Sequence, residues 1–134
     1  MKNPQQDIFS AFLVALRAEF GADRVFDGFL PPDGTPYPFV YLGTSQQIDD
    51  YGNKMQILGS VRQTVDVYTD DPKKRGTFSD WMVRAIETAH RTTESNSYRW
   101  AVIETDQQVI PDNTTNTPLM HGVIDITFQL LGGK

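Results

Sequence analysis

The sequence predicts an α+β domain: one mainly antiparallel sheet of four to five strands with two helices packed on one face. Three observations predict it. Apolar residues recur at helical spacing in two well-separated segments. At least four other segments are short, rich in β-branched and aromatic residues, and bounded by turn residues. The order runs helix, two or three strands, helix, two strands, and the economical packing of that order is a single sheet with a helical layer. Hairpin-like links favour antiparallel pairing, while the strand–helix–strand crossover leaves room for one parallel pair.

The opening helix is well punctuated. Asn3 stands as N-cap, Pro4 suits the first helical position, and Gln6 falls where a capping box places Glu or Gln. Asp7 puts a negative charge in the first turn, where the macrodipole favours it. Ile8, Phe9, Phe12, Leu13, Leu16 and Phe20 form one apolar stripe, and Gly21 supplies the stop. Pro31, Pro32, Gly34, Pro36 and Pro38 then mark a loop that cannot be helical.

Phe39-Val40-Tyr41-Leu42-Gly43 reads as a strand. Residues 44–59 are polar and glycine-containing, with the composition of a long β-arm or mobile hairpin loop. Residues 60–69 alternate cleanly, with Val61, Gln63, Val65 and Val67 on one face and Arg62, Thr64, Asp66 and Tyr68 on the other. Asp70-Asp71-Pro72 ends that strand. A second helix is expected over 77–91, with Phe78, Met82, Ala85, Ile86 and Ala89 as its stripe and Trp81 beside it. Trp100-Ala101-Val102-Ile103 begins another strand that gives way to Glu104, Asp106, Gln107 and Gln108. Residues 112–118 form a loop by composition. The closing strand covers 122–131, with Ile124, Ile126, Phe128 and Leu130 on one face. The expected organisation is one domain over 1–134, with flexible ends at about 1–3 and 132–134.

Composition limits what this domain does. Hydrophobic residues make up 39% of the chain and charged residues 22%. That balance belongs to a folded chain with a real core rather than a disordered one. The formal net charge of −5 argues against binding nucleic acid through counterion release. Without a cysteine there is no disulfide, thiolate metal site or cysteine nucleophile. No apolar run approaches the ~20 residues that span a bilayer, and no signal-peptide core follows the first residues, so a cytosolic place of synthesis is expected.

Catalytic and cofactor motifs are missing: no nucleophile elbow, phosphate-binding loop, dinucleotide fingerprint or paired zinc histidines. His90 sits near a helix C-terminus, where a cation suits the dipole, and His121 opens a strand. Neither has a carboxylate partner at ligand spacing. Asp49-Asp50 and Asp70-Asp71 are adjacent acids, which point to opposite sides of an extended chain and make poor catalytic pairs. Asn113-Thr114-Thr115 matches a glycosylation acceptor and marks a surface loop. Lys73-Lys74-Arg75 is the one basic run. Ahead of a helix these cations oppose the dipole, so either the helix starts later, with Thr77 as its cap, or the charge is kept for a partner.

The assembled order resembles the small head-proximal tail proteins of long-tailed bacteriophages: the tail-completion, tail-terminator or tail-to-head joining proteins. The resemblance rests on the amphipathic opening helix and the proline-led Pro36-Tyr37-Pro38-Phe39-Val40-Tyr41-Leu42-Gly43. Gln63-Thr64-Val65-Asp66-Val67-Tyr68-Thr69, the helix with Trp81, Ile86 and Ala89, and His121-Gly122-Val123-Ile124-Asp125-Ile126-Thr127-Phe128 complete it. It implies a non-enzymatic virion protein, assembled in the host cytoplasm and placed between tail tube protein and head connector protein. It further implies a hexameric ring of copies that can stand as monomers when free, with DNA passing through unbound, no membrane and no cofactor.

A globule of this length has a radius of gyration near ~14 Å, so six in a ring leave a duplex-sized hole. An acidic lining would keep phosphates from sticking. On this view Asp49, Asp50 and Lys54 in the arm reach a neighbour or the lumen, and Lys73, Lys74 and Arg75 dock a partner. The competing expectation is a small-molecule-binding or enzymatic α+β sandwich, with Arg62, Tyr68 and His121 converging in a pocket on the exposed sheet face.

Overall fold

A computed structural model describes residues 3–28, 31–50, 58–70, 73–112 and 119–134. The elements in chain order are α1 (Pro4–Phe20), β1 (Val25–Asp27), β2 (Phe39–Asp50), β3 (Leu58–Thr69), α2 (Arg75–Arg91), β4 (Tyr98–Asp112) and β5 (Leu119–Gly133). The five strands form one sheet in the order β1-β2-β3-β5-β4. Every pairing is antiparallel except β1 with β2. The parallel pair therefore does not come from the strand–helix–strand crossover. α2 carries the chain from β3 past one strand position to β4, and β5 returns to fill the gap.

Both helices cover the same face and pack on each other. α1 starts as its sequence dictates: the Asn3 side chain accepts from the Gln5 N–H at 2.9 Å, and Pro4 opens the helix. Gln6 does not close a capping box; its amide donates to Ser10 Oγ at 3.1 Å, one turn on. At the far end the Gly21 N–H reaches the Arg17 carbonyl with φ at +103°. That conformation strains any residue with a Cβ. Ile8, Phe12, Leu16 and Phe20 are buried, as the stripe requires. Phe12 meets Phe128 of β5 edge-on, with ring centres 5.4 Å apart. Each such buried side chain contributes roughly 1.5–3 kcal/mol.

α2 begins inside the basic run. Arg75 is its first residue and Lys74 its N-cap, with no side-chain capping bond, so Thr77 is not the cap. Phe78, Met82, Ala85 and Ala89 are buried beneath it. α2 is tied to α1 by Arg84, whose Nε donates to Glu19 Oε1 at 2.9 Å and whose guanidinium lies 4.6 Å from the Phe20 ring centre. Trp81 packs against that ring at 4.5 Å.

The strands run longer than their apolar cores. β2 continues through the polar residues 44–50, and β3 begins at Leu58 in register with Asp50. The described parts of the 44–59 segment are thus strand, with 45–50 paired to 58–63. The arm departs at a register shift between Leu42 and Ser45. β4 does not stop near Ile103 but pairs with β5 to Asp112. β5 also runs past Leu131, with Gly132 and Gly133 opposite Arg99 and Tyr98. The 113–118 loop, and with it Asn113, lies outside the described residues, as do Lys54, Asp71 and Pro72.

Candidate assembly surface

The residues singled out in the sequence fall on the sheet face opposite the helices, on the arm and on the turn into α2. An open depression of about 810 Å³ lies elsewhere, between the start of α1 and the link into β4, lined by Asp7, Ser10, Glu94, Ser95 and Lys134 among others. On the uncovered face Phe39, Tyr68, His121 and Ile110 follow one another across β2, β3, β5 and β4 in a single cross-strand row. The rings form a ladder. Tyr37 meets Phe39 at 5.2 Å, Phe39 stacks on Tyr68 at 5.1 Å, and Tyr68 stacks on His121 at 4.3 Å with planes only 9° apart. His121 Nε2 lies 2.7 Å from Asp66 Oδ1, so the histidine has a carboxylate partner that sequence spacing did not reveal. The signal was the sheet register: 66 and 121 sit diagonally on neighbouring strands.

Arg62 is not part of that cluster. It lies six residues from Tyr68 on the same strand, about 20 Å away at strand rise. Its partner is Asp125, at 3.5 Å. Thr64 Oγ1 donates to the same carboxylate at 2.6 Å. The three residues expected to converge on a substrate therefore divide between two places. An open depression of about 630 Å³ lies at the Tyr68 end, walled by the 31–36 loop, Tyr37, Phe39 and Leu119, and it takes in neither Arg62 nor His121. Among the described residues no three His, Asp or Glu side chains are grouped to hold a metal ion. Nor is any helix there long and apolar enough to cross a membrane.

The other candidates lie at opposite poles. Asp49 and Asp50 end β2, in register with Gly59 and Leu58 at the start of β3. Lys73, Lys74 and Arg75 follow the other end of β3 and are all exposed. The ends of this 12-residue strand lie roughly 36 Å apart. The acidic arm and the basic turn are thus separate surfaces.

Two buried polar groups were not singled out by pattern. Asp7 is inside, at 6% exposure. Its Oδ2 accepts from Ser95 Oγ at 2.6 Å and from the Ser97 N–H at 2.8 Å, while Trp100 Nε1 donates to Ser95 Oγ at 2.8 Å. The charge read as a dipole partner is a latch between α1 and the link into β4. Gln63 occupies a fully buried position on an otherwise valine face, and its amide donates to the carbonyls of Gly43 and Thr44 where β2 shifts register. Its sequence signal was visible: one amide among inward-facing valines.

Fold and surface together define a two-layer α+β arrangement in which the residues singled out in the sequence are spread over strands, an arm and a turn. No family model and no curated protein matches the chain. Among solved structures it is similar to a chain of the virion of a native gene transfer agent (GTA) particle, with a TM-score of 0.59 at 16% sequence identity. The likeness covers 98% of this chain and 95% of that one, so the two share a fold from end to end.

Proposed function

We propose that this chain is a non-enzymatic virion assembly protein that acts at the head-proximal end of a phage-type tail. There it joins the tail tube to the head connector as a ring of its own copies. The observation that carries the reading is the end-to-end likeness to a chain of a gene transfer agent virion. The separation of Arg62, the His121–Asp66 pair, the arm and the basic turn supports it, because a transformation needs groups converging on one atom and an assembly protein needs distributed contacts. The two poles supply such contacts. Asp49, Asp50 and Lys54 mark the arm that meets a neighbour or the lumen, and Lys73, Lys74 and Arg75 mark the surface for a partner of opposite charge. The acidic balance suits a lumen through which DNA passes without adhering.

The test is genetic disruption of the chain in its producing phage or particle, followed by electron microscopy. Filled heads and separate tails are the expected products, and joined particles at the parental level would overturn the reading. A second variant tests the arm. Gln47 and Val61 are register partners, so an Asn-Gly turn between them removes 48–60 and keeps the β2–β3 ladder below it. On the β5 side it gives up only the Ser60–Gln129 pair and the Gln129 bond to Gly59. It should fold and fail to join.

A further inference from the structure

We infer that copies of this chain join by continuing the β-sheet, with β4 of one copy adding its open edge to β1 of the next. This rests on the proposed ring and names the contact that builds it.

β4 is the last strand in the sheet order and spans 15 residues. Its start is covered, because the Trp100 N–H donates to the Thr93 carbonyl. Past Trp100 its outer side presents a row of backbone groups that no other described strand takes up. An exposed strand edge is a template for pairing, and chains that stay single usually blunt it with lysines or a cover. From Trp100 to Asp112 there is no Lys or Arg, and the bulge between Val102 and Glu104 and the proline at 111 bound the open stretch to 104–110. Three of the exposed large apolar side chains stand on this strand instead: Ile103 at 59%, Val109 at 50% and Ile110 at 40% exposure.

The occupant follows from strand direction and register. β2, β3, β5 and β4 alternate in direction, so β4 runs opposite to β2, and β1 runs parallel to β2. A copy rotated about an axis along the strands therefore offers β1 antiparallel to β4. The levels match as well. Val25 pairs Val40, Val40 pairs Val67, Val67 pairs Gly122, and Gly122 pairs Val109, so Val25 and Val109 end one cross-sheet row. Rotation alone brings Val109 beside Val25 of the next copy, with Gln108 opposite Phe26, Gln107 opposite Asp27 and Ile110 opposite Arg24.

That pairing sets no acid opposite an acid, since Asp106 falls opposite Gly28. A two-fold pairing of β4 with β4 would instead bring the Glu104 and Asp106 of both copies into one ladder without a cation. Head-to-tail contacts of this kind give a ring when the rotation closes, whereas a two-fold contact stops at two.

Cysteine cross-linking tests it, because the chain has no cysteine of its own. Asp27→Cys and Gln107→Cys sit on strands four places apart in one copy, about 19 Å, too far for a disulfide within it. Under mild oxidation at high protein concentration, and again in purified particles, the double variant should give a ladder of covalent oligomers. Mixing the two single variants should give a dimer, and neither alone should. Self-cross-linking of Gln107→Cys alone means a two-fold edge and overturns the inference, as does the absence of any product.

A Val109→Lys/Ile110→Lys variant should lose the oligomer while its circular dichroism and thermal midpoint stay unchanged. Joined particles that contain the double cysteine variant without cross-linking it would sink the strand contact and leave the joining role standing. Normal particles without the protein would sink the role.

Discussion

The amide of Gln63 donates to the carbonyl of Gly43 at 3.3 Å, across the place where β2 and β3 slip register. The same nitrogen lies 3.4 Å from the Thr44 carbonyl and 3.0 Å from that of Thr64. One buried side chain thus satisfies carbonyls that the irregular ladder leaves over, at the root of the arm. Gln63→Leu fills the volume and strands those acceptors. The expected loss is about 1–2 kcal/mol in urea unfolding, with faster amide exchange at 45–47 than in β5.

Asp7 predicts a larger effect. Removing its carboxylate by Asp7→Ala leaves the Ser97 N–H without its acceptor inside the protein and Ser95 Oγ with only the Tyr98 carbonyl at 3.4 Å. A loss of about 2–3 kcal/mol is expected, with Asp7→Asn keeping part of the stability. Because Trp100 is bonded to Ser95, its fluorescence should shift in the folded state of the Ala variant.

Gly122 has no room for a side chain. A Cβ there would lie 2.8 Å from Phe78 Cζ and collide with Met82 of α2. Gly122→Ala should cost about 1–3 kcal/mol, as overpacking does. Gly76→Ala is the control, since nothing lies within 4 Å of its Cβ position and it sits in α2. A gain of roughly 0.5–1 kcal/mol is expected there. Thermal unfolding of the pair should move in opposite directions.

Lys74 separates stability from assembly. It caps α2 without a capping bond and sets a cation at the positive end of the helix. Lys74→Ser removes that cation and should raise stability by about 0.3–1 kcal/mol. If the basic turn docks a partner, the Lys73→Ser/Lys74→Ser/Arg75→Ser variant melts no lower than the parent yet yields fewer joined particles. Equal yields would return the turn to plain solvated surface.

The layered architecture was legible because it is written in periodicity. The Ile8–Phe12–Leu16–Phe20 stripe and the valines of β3 each bury the face their spacing assigns. β4 reads short in sequence for a physical reason. Residues 104–111 are exposed on both faces and mostly polar, so no alternation marks them; backbone pairing with β5 makes them a strand. Asp7 was legible as a charge at a helix start but not as a latch, because its partners lie 88 and 90 residues away. The Asp66–His121 contact was hidden for the same reason, at a separation of 55 residues. Lys74 shows the converse: the conflict between cation and dipole was plain in sequence, and the helix starts there regardless.

The place of β5 between β3 and β4 governs when the sheet is completed during synthesis. β3 has β2 to pair with, but β4 has no strand neighbour until β5 follows. A ribosome that has delivered everything through β4 has produced a half-sheet and a detached edge, with Phe12 lacking the Phe128 ring it rests on. With β5 in place the open edge of β4 belongs to the same sheet as β1. Completion of the five-stranded sheet therefore depends on the strand delivered after both of its neighbours.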